Sequence, residues 1–334
     1  MYLEFYGLAE KPFATTPDPR FLFLTQQHRD ALARLTYGVQ EKKGFVVLTG
    51  EVGTGKTTLV RTLLTQLDST IAAAFVFNST LPFEGLLEHV LEDFGISEPG
   101  ATLAQRLLAL NRFLVERSRN GYQTLLVVDE AQHLSVENLE QLRLLSNFET
   151  ANDKLVQILL VGQPELEAKL ELPALRQLAQ RIELRVDISP LSSGDMSDYI
   201  RARLRTAGAR DDTIFTGNAP ALIAAATDGI PRLINILCDH CLLIGYADQK
   251  RRIGGDVVRE ALESLHLRRD RRPIALRKST PTLQRSTPTE GPVRRRIAVA
   301  VAAALSAGIA LFLELPDYFH LSALMRSMHE LLAR

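Results

Sequence analysis

Short apolar runs without polar alternation recur along the first half of the chain, at Phe45–Leu48, Ala74–Phe77, Leu125–Val128 and Ile158–Val161. Unbroken apolar runs of this length predict strands buried on both faces of a parallel sheet. Ile182–Ile188 follows as a fifth strand-like run. Between the runs lie segments with helical spacing, such as Lys56–Leu67 and Ala104–Arg117, so the chain reads as βαβ units. From Pro190 the strand-like runs stop, and helical periodicity continues to about Leu267. The expected fold class is therefore α/β, a five-stranded parallel sheet followed by a helical unit. No fixed-period repeat is visible.

Residues 268–296 have a different composition, RRDRRPIALRKSTPTLQRSTPTEGPVRRR. Proline, serine, threonine and like charges supply too little apolar surface to offset ordering entropy, which predicts a basic disordered linker. Next comes Ile297–Leu313, seventeen residues without a charge before Glu314. At 1.5 Å per residue such a helix is about 26 Å long, the lower edge for crossing a core of about 30 Å. A buried alanine-rich core helix is the alternative. Its position after a linker and three arginines favours a single transmembrane helix over 297–315, with the arginines on the cytoplasmic side. In the last stretch, 316–334, Leu321, Leu324, Met325, Met328, Leu331 and Leu332 form one apolar stripe on a helix. Both a membrane-surface helix and a partner-binding helix fit that periplasmic tail.

Composition narrows the picture. Of 334 residues, 46% are hydrophobic and 23% charged, which excludes wholesale disorder. Two cysteines in a chain this long exclude a disulfide scaffold. The formal net charge of +0 hides an asymmetry: ten basic and two acidic residues between 268 and 296 are balanced by an acidic remainder. An acidic body argues against gripping nucleic acid. The opening MYLEFYGLAEKPF has no basic stretch followed by an apolar one, so no cleavable signal peptide is expected.

The candidate chemistry begins at Gly50-Glu51-Val52-Gly53-Thr54-Gly55-Lys56-Thr57, which fits G-x-x-x-x-G-K-[ST] between a predicted strand and a predicted helix. Backbone N–H groups of such a loop close around phosphates, and the helix behind it aims its positive end at them. The stretch from Gly50 to Thr58 is thus the expected ATP site, with Lys56 reaching the phosphate oxygens and Thr57 holding Mg²⁺. A second motif, Leu125-Leu-Val-Val128-Asp129-Glu130, ends a strand in two carboxylates. Asp129 can bind the Mg²⁺ shell, and Glu130 can polarise the attacking water. With an intervening strand, the pair points to the branch of phosphate-loop ATPases that includes the AAA+ class. Cys238-Asp-His-Cys241 has no second cysteine pair to complete a zinc site, so both thiols are expected in a helical core. His133 is expected at a helix start rather than as a base.

GFVVLTGEVGTGKTTLVR, LLVVDEAQHL, ILLVGQPEL, LAQRIELRVDISPL and GIPRLINILCD occur in that order, after FYGL, EKPF and TTPDPRFLF. Across roughly residues 1–267 the chain closely resembles the membrane-anchored AAA+ ATPases of the general secretion pathway protein A (ExeA-type) family. The resemblance implies that Gln163 is sensor 1, Arg232 is sensor 2 in a helical lid, and Arg181 is the arginine finger given to a neighbouring subunit, with Arg176 and Arg185 as rivals. The implied organisation is an N-terminal segment (1–30) packed on the core, an ATPase core (31–189), a lid (190–267), the linker, the span and the tail. Members often continue into a periplasmic peptidoglycan-binding domain, and 316–334 is too short for one. Direct peptidoglycan binding is therefore not expected.

The implied function is Mg²⁺-dependent ATP hydrolysis by a homo-oligomer on the cytoplasmic face of a bacterial inner membrane. It would power or regulate a secretion or envelope-export machine through an inner-membrane or periplasmic partner. The rival is a DNA-associated AAA+ ATPase of the transposition-helper or origin-recognition type, which needs a basic face on the core or lid. A nucleotide-gated scaffold without turnover is a third reading, and Glu130 argues against it.

Overall fold

Five strands, β1 (Phe45–Gly50), β2 (Ile71–Val76), β3 (Gln123–Val128), β4 (Gln157–Gly162) and β5 (Ile182–Ile188), pair in parallel in the order β2-β3-β4-β1-β5. They are taken from a computed structural model that describes residues 2–265 except 16, 17, 78, 98 and 151–153. The expected linker, span and tail lie outside the described residues. Among the described residues, no helix is long and apolar enough to cross a membrane.

β1 and β4 are buried along their whole length, as their unbroken apolar runs require. Leu159 of β4 registers with Val46 of β1 on one side and Val127 of β3 on the other. Period-two alternation sends Val46, Leu48, Val127 and Leu159 to one face and Val47, Val128, Ile158 and Leu160 to the opposite one. On the first face pack α2 (Gln26–Gln40) and α3 (Lys56–Gln66), through Leu32, Leu35, Leu59 and Leu63. The second face is covered by α4 (Phe83–Asp93), α5 (Leu103–Arg119), α6 (Val136–Leu145), α7 (Pro164–Leu170) and α8 (Arg176–Ala179). Each leucine buried this completely is worth about 1.5–3 kcal/mol, which is what holds the three layers together.

One strand departs from expectation. Ala74–Phe77 reads as a strand buried on both faces, yet β2 lies at the sheet edge, only partly buried, and Phe77 falls beyond it with 64% of its surface exposed. An apolar run does not specify its place in a sheet. Here Asp93 of α4 accepts the Phe75 N–H (2.7 Å), occupying a donor that a further strand would otherwise pair.

Beyond Pro190 the chain is helical: α9 (Ser193–Thr206), α10 (Ala219–Thr227), α11 (Pro231–Ala247) and α12 (Gly255–Ser264). Gly229 joins α10 to α11 at φ +75°, where a Cβ would lie 2.1 Å from the Leu191 carbonyl oxygen. Only glycine fits there. Cys238 and Cys241 are fully buried in the lid, and burial pushes the Cys241 thiol up to about 12 and Cys238 well above its ordinary value. Their thiols therefore stay protonated packing groups.

α1 (Tyr2–Tyr6) and the residues after it complete the lid, while Leu24 packs against the core cluster and His28 meets the loop at Thr54. Tyr2, Leu8, Phe13 and Phe21 join one apolar cluster with Met196, Tyr199, Leu237 and Val257. Tyr2 donates to Asp239 (2.5 Å), and Ala9 N–H donates to the Ala207 carbonyl (2.8 Å). The physical reason is the lid itself: four helices with no sheet to back them leave an apolar face, which the aromatic side chains of the opening segment close.

Candidate functional site

The phosphate loop is the turn between β1 and α3. Gly55, at φ +100°, ends it and serves as the N-cap of α3, and Lys56 is the first helical residue. Lys56 is nearly buried, and its Nζ donates to the carbonyl oxygens of Gly50 (2.8 Å) and Glu51 (3.0 Å). Burial pushes its pKa down, against the opposing pull of Glu130, Asp129, Glu51 and Glu165. The lysine is thus a desolvated cation curled inside its own loop.

Across the site, β3 ends in Asp129 and Glu130. Thr57 Oγ1 donates to Asp129 Oδ2 (2.8 Å), so a hydroxyl from α3 and a carboxylate from β3 converge. Glu130 adopts the left-handed region, at φ +52°, which costs a non-glycine residue about 1–3 kcal/mol. Its carbonyl is gripped by the hydroxyl of Ser79 (2.8 Å) and the N–H of His133 (3.0 Å), which hold that turn. The side chain of Gln163, at the end of β4, donates to Glu130 Oε2 (3.1 Å). Burial raises the Glu130 pKa, but the amides of Gln132 and Gln163, then Lys56 and His133, outweigh it and hold the group below its usual value.

The sheet order brings these groups together. β4 lies between β1 and β3, which places Gln163 between the phosphate loop and Glu130. Sequence reading names all of these residues except Gln132, Ser79 and Glu165. Gln132 lies two residues after Glu130, and that proximity is its only sequence signal. His28 is also missed: from α2, its Nε2 faces the Thr54 carbonyl (3.3 Å) while Nδ1 accepts from the Thr25 hydroxyl (2.7 Å). His133 ends the short 3-10 turn Ala131–His133.

A cavity of about 410 Å³ opens between the loop residues Val52–Thr58, Arg232 and Asn235 of α11, and Phe21 and Phe23 of the opening segment. Arg232 is exposed at its edge and its guanidinium has no partner among the described residues. The three arginines near β5 differ. Arg181 donates to Ser146 Oγ (2.6 Å) and the Arg143 carbonyl (3.3 Å) at the end of α6 of its own chain. Arg185 pairs with Glu167, and Arg176 is exposed.

Residues 39–170 match the family described as AAA domain. Over 265 residues the chain is 43% identical to general secretion pathway protein A of Aeromonas hydrophila, covering 79% of this chain and 48% of that protein. The chain thus spans about half of that relative's length. Among solved structures, Cdc6p from Pyrobaculum aerophilum is similar at a TM-score of 0.60 and 18% identity, over 76% of this chain and 70% of that one. The ORC2 protein of Aeropyrum pernix is similar at a TM-score of 0.56 and 19% identity, over 76% and 71% of the two chains. At these identities the structural likeness shows the fold alone: an AAA+ core with a five-stranded parallel sheet and a helical lid. The chain is a homologue of general secretion pathway protein A that carries an AAA domain.

Proposed function

We propose that this homologue of general secretion pathway protein A binds and hydrolyses ATP with Mg²⁺. One observation carries the reading: Lys56 from the loop after β1, the Thr57–Asp129 pair and the Glu130–Gln163 pair all gather at one end of the sheet. Thr57 and Asp129 suit Mg²⁺, which takes a few hard oxygen ligands and leaves the rest to water and phosphates. When bound, the ion would spread the charge of the β- and γ-phosphates.

Lys56 would leave the Gly50 and Glu51 carbonyls for phosphate oxygens, exchanging neutral acceptors for charged ones. Glu130 takes the proton of a water whose oxygen bonds to the γ-phosphorus, while the bond to the β–γ bridging oxygen breaks and ADP leaves. Gln163 orients the glutamate, and Arg232 reads the phosphates from the lid. Arg181 acts as the finger toward a neighbouring subunit, in a homo-oligomer. The apolar run at 297–315 supports a single-pass inner-membrane anchor with the ATPase in the cytoplasm and the tail in the periplasm. Homology to a secretion-pathway protein supports service to a secretion or envelope-export machine through a membrane or periplasmic partner.

The test is phosphate release from ATP by the full chain, with Mg²⁺ present or chelated. Lys56→Ala is expected to weaken nucleotide binding, because one cation that spreads phosphate charge is lost. Glu130→Gln is expected to keep binding and lose roughly 10²–10⁴ in turnover. Wild-type turnover in chelator would overturn the metal assignment.

A further inference from the structure

Gln132 lies two residues past Glu130 and is nearly buried, so each end of its amide needs a partner. Its Oε1 accepts the backbone N–H of Gln163 (3.1 Å), and its Nε2 donates to Glu130 Oε2 (2.5 Å). The backbone N–H can only donate, so it dictates which end of the amide faces it. The NH₂ end is therefore aimed at Glu130 by the end of β4, not by chance rotation. Lys169 fixes the turn beneath by donating to the carbonyls of Gln132 (2.5 Å) and Leu134 (2.7 Å).

The two donors from Gln132 and Gln163 meet on the same carboxylate oxygen, Oε2. Among the described residues, no group is bonded to Oε1 of Glu130. We infer that Gln132 is a positioning residue for ATP hydrolysis: it occupies Oε2 of Glu130 and leaves Oε1 as the oxygen that receives the water proton. The inference rests on Glu130 acting as the base. Gln132 also couples β4 to that base, because a shift of the Gln163 backbone moves the amide that holds Glu130. A side chain at Gly162 would disturb the link, since its Cβ would lie 3.0 Å from Gln132 Oε1.

The experiment is steady-state ATP hydrolysis by the full chain, with kcat and KM for ATP resolved. Gln132→Met keeps the volume and removes the donor. It is expected to lower kcat roughly tenfold and leave KM for ATP within about twofold. Gln132→Glu keeps an acceptor for Gln163 N–H but sets a second carboxylate beside Glu130, and is expected to lower kcat further. If the Met variant does not fold, the isosteric Glu variant decides alone. Unchanged kcat in the folded variants, with Glu130→Gln inactive, would overturn the positioning role. Wild-type turnover by Glu130→Gln would overturn the base assignment, and the inference with it.

Discussion

The backbone N–H of Arg232 donates to the carbonyl of Gly53 across 3.3 Å, joining the first turn of the lid helix α11 to the middle of the phosphate loop. Gly53 is at φ +83°, and a Cβ there would stand 2.6 Å from Arg232 Cβ and 3.2 Å from Ile230 Cγ2. The glycine is therefore required twice, by its backbone conformation and by the lid. Core and lid meet at the residue that must also face phosphate, so nucleotide in the loop and the position of α11 are mechanically linked.

Gly53→Ala follows from this contact. The left-handed backbone costs about 1–3 kcal/mol in a non-glycine residue, and the Cβ must also push α11 away. We expect a lower Tm and weaker ATP binding, read by thermal unfolding with and without nucleotide. A smaller nucleotide-induced Tm shift than in the wild type marks the loss of coupling.

The arginines near β5 are separable by their partners. Arg181 must leave Ser146 Oγ and the Arg143 carbonyl before it can reach a neighbouring subunit, whereas Arg176 is exposed. Turnover is expected to rise with protein concentration. Arg181→Ala should keep ATP affinity and lose turnover by orders of magnitude, with partial recovery on mixing with Glu130→Gln. Arg176→Ala should remain active. The reverse pattern transfers the finger to Arg176.

Arg203 of α9 is buried, and its hydrogen-bond partners among the described residues are neutral: the carbonyls of Pro12 (2.5 Å) and Ala14 (3.2 Å) and the Tyr199 hydroxyl (3.0 Å). Its guanidinium also lies 4.8 Å from the centre of the Phe21 ring, on the wall of the nucleotide cavity. Arg203→Met should free the opening segment, seen as faster tryptic cleavage after Arg20. ATP affinity should fall severalfold as the Phe21 wall loosens, by roughly 1 kcal/mol.

His28 gives a pH dependence. Burial lowers its pKa, against the Thr54 carbonyl and Asp195, so the folded chain keeps it neutral below its ordinary value. Above about pH 6.5 both folded and unfolded forms are neutral, and His28 adds no pH dependence. Below that, the unfolded chain takes the proton first, so stability falls as pH drops toward the lower folded value. Chemical denaturation of wild type and His28→Gln across this window should show the wild type losing more stability than the variant.

Much of this protein is local and was legible in the residues. The spacing of Gly50 to Thr57, the strand ending in Asp129 and Glu130, and the change from strand runs to helical periodicity at Pro190 each depend on neighbours in sequence. Period-two and 3.6-residue patterns encode which face of an element is apolar. They do not encode which other face it meets. Only the tertiary structure put β4 between β1 and β3 and sent β2 to the edge. It also set α1 and Phe13 in the lid, because their aromatic side chains fit an apolar face that appears only once α9–α12 assemble. Gln132 and His28 belong to the same class. Neither carries a spacing signal, since each acquires its role from a backbone group far along the chain, the N–H of Gln163 and the carbonyl of Thr54. Chemistry that depends on motif spacing is written in the sequence; the orientation of that chemistry depends on which surfaces pack, and packing is settled only when the whole fold is in place.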